Sequence, residues 1–369
     1  MLIGIDASRA VAKQKTGIEY YCQEIIFNII NISSDDQFIL YAPCLPEKDN
    51  LLFKLPENGK WKIIPFPKLW SQIRLAWELL FTKDRPYVFF EPAHIVPFFT
   101  RGRIVTTIHD LGFISHPRLY PFFEKLYSNM TLRFSSKRAN KIISISDYTK
   151  KDLVKYFHIK PEKIESIHLG IDRGRFNVEK AESKLPENIH YPYIFYIGRL
   201  EIKKNIINLL KSFEIALKTN PNLSLVLSGK WGYGKEIIEN FIQSFPPSIK
   251  EKIVITGYIS DDEYSTILKN ASVLSLVTYY EGFGMPILEA MASGIPVVCS
   301  NTSALPEIAG NAALLVDPNC PEDIAQAFIK VILNPEIKLN LVKNGLENCK
   351  RFDWMIAAKK TLETIKNVY

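Results

Sequence analysis

The sequence predicts an α/β protein made of two doubly wound units, each a mostly parallel sheet with helices on its faces, and three observations carry that expectation. The chain has 369 residues, more than one ordinary hydrophobic core takes up. Short β-branched and aromatic runs alternate with longer amphipathic segments, the pattern of strand, crossover helix and parallel strand. The alternation is interrupted by a charged, proline-containing stretch from Arg173 to Pro192 and restarts at Tyr193.

The strands expected before the interruption are Leu2–Ile5, Gln37–Tyr41, Ile63–Ile64, Val88–Phe90, Ile104–Ile108 and Lys141–Ile145. After it come Tyr193–Ile197, Leu223–Leu227, Ile253–Thr256, Val273–Val277, Pro296–Cys299 and Ala313–Val316. Residues 1–172 are therefore expected to form one domain, 173–192 a linker and 193–350 a second domain, with 351–369 as a terminal helix. Two domains imply a cleft between them. No short-period repeat or low-complexity segment stands out.

Composition narrows the class. Hydrophobic residues make up 47% and charged residues 23% of the chain, the balance of a folded globular protein. The cysteines Cys22, Cys44, Cys299, Cys320 and Cys349 form no C-x-x-C pair, so neither a disulfide framework nor a zinc site is signalled. A reducing cytoplasm is the expected compartment. The N-terminal run Met1 to Asp6 reads as a strand rather than a signal peptide. The greasiest stretch, Tyr87 to Phe99, is broken by Glu91, His94 and prolines, far short of the roughly 18 apolar residues that span a bilayer. The net charge of +7 lies entirely in the first half: residues 1–190 carry 28 Lys/Arg against 21 Asp/Glu, and residues 191–369 carry 18 of each. With no nucleic-acid-binding signature, no nucleic-acid partner is expected. Between Pro65 and Arg138, aromatics such as Trp70, Trp77, Phe98, Phe99, Phe122 and Phe123 are interleaved with cations including Lys68, Arg74, Lys83, Lys125 and Arg133. Such a mixture fits an anionic membrane surface, and equally a core whose cations are simply solvated.

Two segments carry the chemistry. Tyr280 to Pro296 reads as a strand end, a glycine-rich turn, a helix opening near Pro286 and a stop at Gly294. Gly282 and Gly284 let backbone approach a ligand closely, and the positive end of the helix dipole suits a diphosphate. Glu281 precedes the turn and Glu289 follows one helical turn in, so both can edge one pocket. In the other segment, Tyr196 to Ile206, a strand ends at a glycine and Arg199 and Lys204 stand near the next helix start, where cations are unfavourable unless an anion joins them. Read alone, each has a plainer explanation: a capped helix with solvated glutamates, and surface cations on a polar turn.

Together, the G-R-x4-K-N segment at Gly198–Asn205 and the E-G-F-G-M-P-I-L-E segment at Glu281–Glu289 resemble the retaining glycosyltransferases of family 4, which have the GT-B fold. Thr16-Gly17-Ile18, Thr107-Ile-His-Asp-Leu111, Ser144-Ile-Ser146, Ile167 to Asp172 and Arg351-Phe-Asp-Trp354 extend the resemblance over nearly the whole chain. The first loop departs from the pattern in having one glycine followed by the bulky Ile18 to Tyr21.

The resemblance implies two Rossmann-like domains facing each other across a cleft, and a C-terminal helix that crosses back to the first. It implies that Arg199 and Lys204 bind the donor phosphates, with Gly17, Gly284, Met285, Pro286 and Ile287 lining them, and that Glu289 binds the ribose. Glu281 would hold the transferred sugar and His109, otherwise an ordinary core histidine, would sit at the anomeric carbon. The expected substrates are a nucleotide diphosphate sugar, UDP-glucose or another UDP-hexose ahead of GDP-mannose, and a glycan or lipid-linked acceptor of bacterial polysaccharide synthesis. No cofactor and no metal are expected, because the sequence has no D-x-D motif; Asp35-Asp36 and Asp261-Asp262 read as turns or helix caps. Two other readings remain open: a sugar-nucleotide epimerase on the same fold, and a noncatalytic sugar-nucleotide-binding subunit. A nicotinamide dehydrogenase is disfavoured, since Gly229 to Gly234 lacks the spacing of a dinucleotide fingerprint.

Overall fold

The computed structural model describes residues 1–66, 69–178 and 184–369. Lys68 and part of the expected linker, residues 179–183, lie outside the described residues. The chain divides into two compact units, one of residues 1–115, 122–170 and 352–369, the other of residues 116–121 and 171–351.

The first unit holds seven parallel strands: β1 (Leu2–Asp6), β2 (Gln37–Ala42), β3 (Gly59–Ile63), β4 (Val88–Glu91), β5 (Arg103–Ile108), β6 (Lys141–Ser144) and β7 (Ile164–Ser166), in the order β3-β2-β1-β4-β5-β6-β7. The central strands are continuous apolar runs, Phe38 to Ala42 and Val88 to Phe90 being buried throughout, as expected for a sheet covered on both faces. The edges are different. β3 ends at Ile63, the first of the apolar pair expected to form it, and none of its residues is fully buried; β7 is three residues long and carries one buried side chain.

From β1 the chain winds outward to β2 and β3, then returns to β4 on the other side, so the order reverses between β1 and β4. Side chains at the carboxyl ends of strands flanking such a reversal border an open crevice. Ile5 pairs with Phe90, which places Asp6 and Glu91 next to each other at that point. Both carboxyl groups are buried, and burial pushes the pKa of each upward, with the neighbouring Asp6 pushing Glu91 further. Glu91 accepts the Ala93 N–H at 3.0 Å and Asp6 the Ser8 N–H at 2.8 Å, so the pair ties down the turns leaving both strands.

The terminal helix Trp354–Lys366 packs against the helix Gly17–Ile32. Asp353 caps it by accepting the N–H groups of Met355 and Ile356 at 2.8 and 3.1 Å. Its entry is so close to Gly170 that a Cβ there would lie 2.3 Å from the Trp354 nitrogen. At its far end Lys366 pairs at 2.6 Å with Asp36, which also takes the terminal ammonium of Met1 at 3.0 Å.

The second unit has six parallel strands: β8 (Tyr193–Ile197), β9 (Ser224–Ser228), β10 (Ile253–Gly257), β11 (Val273–Leu276), β12 (Val297–Ser300) and β13 (Ala313–Val316), ordered β10-β9-β8-β11-β12-β13. Ile194, Tyr196, Leu225 and Leu227 pack one face of this sheet against Leu209, Leu210, Phe213 and Phe328. Here the winding reverses between β8 and β11, the two strands whose following loops carry the motifs read from the sequence.

No helix among the described residues is long and apolar enough to cross a membrane.

Candidate active site

The loop after β8 is shaped by the loop after β9. Leu200 donates its N–H to Lys230 O at 2.8 Å, Gly232 to Leu200 O at 3.0 Å and Ile202 to Tyr233 O at 3.0 Å. The contact is so tight that a Cβ on Gly229, at φ +141°, would lie 1.9 Å from Gly198 O. The Gly229–Gly234 segment, which the dinucleotide fingerprint could not account for, thus templates the loop that presents Arg199 and Lys204. Between those cations lies Glu201, buried, with its carboxylate 3.3 Å from Lys203 Nζ and 3.9 Å from Arg199 Nε. Sequence reasoning passed over Glu201, although an acid embedded among cations was a usable signal. Arg199 itself is exposed.

Lys204 closes a short 3-10 turn, Ile202–Lys204, and Asn205 follows at φ +60°. The Asn205 amide donates to Val277 O at 2.8 Å and Pro318 O at 2.7 Å, fixing the turn beside the end of β11. From there Lys204 Nζ reaches Glu281 Oε1 at 2.7 Å, both side chains about one-fifth exposed (20% and 17%). The sequence reading gave these two residues separate ligand groups; the structure joins them in one ion pair. Glu281 is held in turn by Ser303, whose hydroxyl oxygen accepts its N–H at 3.2 Å.

β11 ends at Leu276, earlier than the sequence suggested, and the glycine turn leads into the helix Met285–Ala292. Gly284 caps this helix at φ +100°, where a Cβ would lie 2.6 Å from Leu305 Cδ2. Pro286 has no N–H to offer, and Ile287 donates its own to Gly284 O at 3.0 Å. The expected backbone lining therefore reduces to the N–H groups of Gly284 and Met285, for which no acceptor is found among the described residues. They stand where the helix dipole is positive.

Glu289, further along that helix, accepts the Tyr264 hydroxyl from the helix Asp261–Lys269. Burial raises its pKa, opposed by the Tyr264 hydrogen bond and by Arg175. The Arg175 guanidinium lies 4.9 Å from the Phe176 ring and 5.9 Å from the Tyr264 ring, and pairs with Asp261 at 2.8 Å. Tyr264 and Arg175 were not legible as site residues. Asp262 sits in the first turn of the same helix, whose Ser260 and Glu263 form a capping box.

In the first unit His109 follows β5 and is buried. Its Nε2 is 2.8 Å from Pro92 O, and a carbonyl can only accept, so Nε2 carries the proton and Nδ1 keeps a lone pair. Burial lowers the pKa, which keeps the ring neutral in that tautomer. Tyr21 lies edge-on beneath it at 4.9 Å, with its hydroxyl 2.9 Å from Thr107 Oγ1, and Trp354 of the terminal helix is 6.3 Å from Tyr21. Among the bulky residues after Gly17, Tyr21 supports His109, and Glu19 folds back to accept the Thr16 N–H at 3.0 Å and pair with Arg9 at 3.3 Å, while the Tyr20 ring lies 5.8 Å from the Lys15 ammonium. Nothing lies within 4 Å of where a Gly17 Cβ would be.

Two parallel doubly wound sheets, the second with a Lys–Glu pair and a helix N-terminus at its reversal point, define a protein of the GT-B type. Residues 177–348 match the family described as glycosyl transferases group 1, and residues 34–175 match glycosyltransferase family 4. The chain belongs to the family 4 glycosyltransferases. It is 29% identical to O-antigen chain mannosyltransferase B of Escherichia coli over 79% of this chain and 77% of that protein. It is 28% identical to O-antigen chain mannosyltransferase RfbU of Salmonella typhimurium over 65% and 63%, respectively. Among solved structures, sucrose-phosphate synthase from Thermosynechococcus elongatus superposes with a TM-score of 0.76 at 17% identity, covering 100% of this chain and 99% of that one. Anabaena HepE in complex with UDP-glucose gives 0.76 at 15% identity, covering 99% of each.

Replacing Tyr264 by Phe leaves a buried carboxylate without its donor. Because the hydroxyl favours the charged form, its loss raises the Glu289 pKa further, and the pH-dependent cost appears only above the pKa of Glu289 in the folded wild type, where the carboxylate is charged. Thermal and denaturant unfolding should show Tyr264→Phe less stable by about 1–3 kcal/mol at pH 7, the difference shrinking towards pH 4 as Glu289 becomes protonated in the folded state of both proteins. A difference that does not vary with pH would contradict this assignment.

Proposed function

We propose that the protein transfers a hexose from a nucleotide diphosphate sugar to a hydroxyl of a glycan or lipid-linked acceptor during surface polysaccharide synthesis. The observation that carries the reading is the convergence, in the second unit, of Lys204, Glu281 and the dipole of the helix Met285–Ala292 at the reversal between β8 and β11. A diphosphate suits the cations and the N–H groups of Gly284 and Met285, and a sugar hydroxyl suits the carboxylate paired with Lys204. The relatives named as O-antigen mannosyltransferases support a polysaccharide product and bring GDP-mannose level with UDP-glucose as donor; the neighbour solved with UDP-glucose supports a nucleotide sugar of either kind.

In the proposed step, the bond between the anomeric carbon and the donor phosphate oxygen breaks and a bond to the acceptor oxygen forms on the same face, with retention. The departing phosphate oxygen takes the acceptor proton. Arg199, Lys204 and the helix dipole balance the charge left on the diphosphate, so the reaction needs no metal or cofactor. Glu289 binds the ribose, Glu281 the transferred sugar, and the lone pair on His109 Nδ1 accepts a hydroxyl hydrogen of that sugar near its anomeric carbon. Gly17 offers backbone to the donor. An epimerase on the same fold would release free or isomerised sugar without an acceptor, and a noncatalytic subunit would show no turnover.

Lys204→Ala and Arg199→Ala should each weaken UDP or GDP binding and slow transfer, because ground and transition states both lose charge compensation. Glu281→Gln should keep or tighten nucleotide binding, since it frees Lys204, while reducing turnover by about 1–3 kcal/mol of transition-state stabilisation. Glu289→Gln should weaken the nucleotide, and His109→Ala should bind it normally but lose most transfer. Calorimetry and initial rates with EDTA present separate these cases. Nucleotide binding abolished by Glu281→Gln together with full transfer by His109→Ala would overturn the placement of the sugar, and an absolute requirement for a divalent cation would overturn the metal-independent step.

The first unit is also proposed to rest on anionic lipid. Trp70 is core, donating to Ile64 O at 2.7 Å, but Trp77 (62% exposed), Phe99 (69%), Phe122 (67%) and Phe123 (81%) are open, near Arg74, Arg101 and Lys125 in sequence. Gln72 and Ser135 both bond the segment His94–Phe98, so the helical segment that leads to Trp77 and the helix Phe122–Arg138 both contact it. Flotation with phosphatidylglycerol vesicles should carry the protein at low salt, and binding should weaken as salt rises. No flotation at any salt concentration would refute attachment.

A further inference from the structure

Next to His109 stands a second histidine with no role so far. His94 lies just beyond β4, three residues after Glu91, at the reversal point of the first sheet. Its backbone is left-handed at φ +63°, a conformation unfavourable for a residue with a side chain. Both sides of it are pinned: Ala93 donates to Glu91 Oε1 at 3.0 Å, Pro92 O takes the His109 proton at 2.8 Å, His94 O accepts the Ser135 hydroxyl at 2.8 Å and Val96 donates to Ser135 Oγ at 3.2 Å. Strain held in this way by its surroundings gathers where a side chain must be aimed.

The imidazole so aimed is 6.2 Å from the His109 ring, only partly buried, and without a hydrogen-bond partner among the described residues. Desolvation of the ring, with a smaller contribution from His109, pushes its pKa down to about 4, so it is neutral at physiological pH, one nitrogen donating and the other accepting. The groups that bear on it electrostatically are His109, Asp110 and Arg9, the last already paired with Glu19, so no unpaired cation is offered to an anion. An unpartnered neutral donor–acceptor suits a hydroxyl of an uncharged polyhydroxyl ligand rather than a phosphate.

We propose that His94 binds a hydroxyl of the saccharide that accepts the transferred hexose, making it a specificity-determining residue of the first unit; the word acceptor rests on the transfer reading above, the saccharide contact does not. Two variants separate aim from architecture. His94→Gly removes the ring and relieves the left-handed backbone; His94→Asn tolerates that backbone and keeps a donor and an acceptor. Methyl α-D-mannopyranoside and methyl β-D-glucopyranoside serve as probes in saturation-transfer NMR, calorimetry with UDP and GDP reports the second unit, and thermal melting reports stability. Wild type should bind at least one glycoside, and His94→Gly should bind it about tenfold more weakly, in the range of one lost hydrogen bond, with unchanged nucleotide affinity and a melting temperature no lower than wild type. His94→Asn should recover part of the loss. Glycoside binding by His94→Gly equal to wild type, a loss that tracks a lowered melting temperature, or no glycoside binding by wild type would each overturn the proposal. Wild type that binds neither UDP nor GDP would instead overturn the transfer reading.

Discussion

The ion pair between Lys204 and Glu281, 2.7 Å apart, is the interaction on which the candidate site depends. It exists because a parallel sheet wound in two directions must leave a crevice where the winding reverses, and in the second unit that point lies between β8 and β11. Lys204 follows one of these strands and Glu281 the other. Neither loop is free to drift: the first is bonded to the Gly229–Gly234 loop and anchored by Asn205, and the second is held through Ser303 and the left-handed Gly284. An exposed Lys–Glu pair contributes little to stability, whereas a largely enclosed one is costly to break on one side only. Here the pair holds a cation against a carboxylate that stands three residues before the helix cap Gly284, and the transfer reading proposed above assigns them an anion and a hydroxyl.

The first unit uses the same topology with different chemistry. Its reversal point holds a buried carboxyl pair, Asp6 and Glu91, and two neutral histidines. The carboxyl groups feel Arg9 only as a minor influence beside their burial, and they bond the turns that leave β1 and β4. Through the turn at Pro92 that order reaches His109, and through Tyr21 and Trp354 the terminal helix braces the same ring. A histidine that the sequence shows as one residue between Ile108 and Asp110 is thus fixed in tautomer by the turn at Pro92 and braced by Tyr21, which Trp354 backs.

Much of the fold was legible because its strands are buried on both faces and read as unbroken apolar runs. Tyr193–Ile197, buried over its first four residues, falls where such a run places it, and the apolar edge strand Ala313–Val316 does too. β3 and β7 were misplaced or missed because edge strands need no such run: Gly59–Ile63 sets Trp61 between two lysines, and Ile164–Ser166 is too short to show a period. The helix stop at Gly294 and its start near Pro286 follow from local backbone preference, which sequence carries well. Contacts between distant segments are another matter. The spacing of Lys204 and Glu281 says nothing of their pairing, and Tyr264, a tyrosine on an apolar helix face, looks like core until its hydroxyl is seen on Glu289. The inward turn of the Ile287 N–H and the strained backbone of His94 have no sequence signature at all.

The account stands or falls on where a nucleotide diphosphate binds. Crystals of the protein grown with UDP or GDP should show the β-phosphate at the N-terminus of the helix Met285–Ala292, within hydrogen-bond distance of the Gly284 and Met285 N–H groups, with Lys204 Nζ turned at least partly from Glu281 towards it. A nucleotide bound elsewhere, or phosphates remote from this helix while Lys204 remains wholly with Glu281, would contradict it.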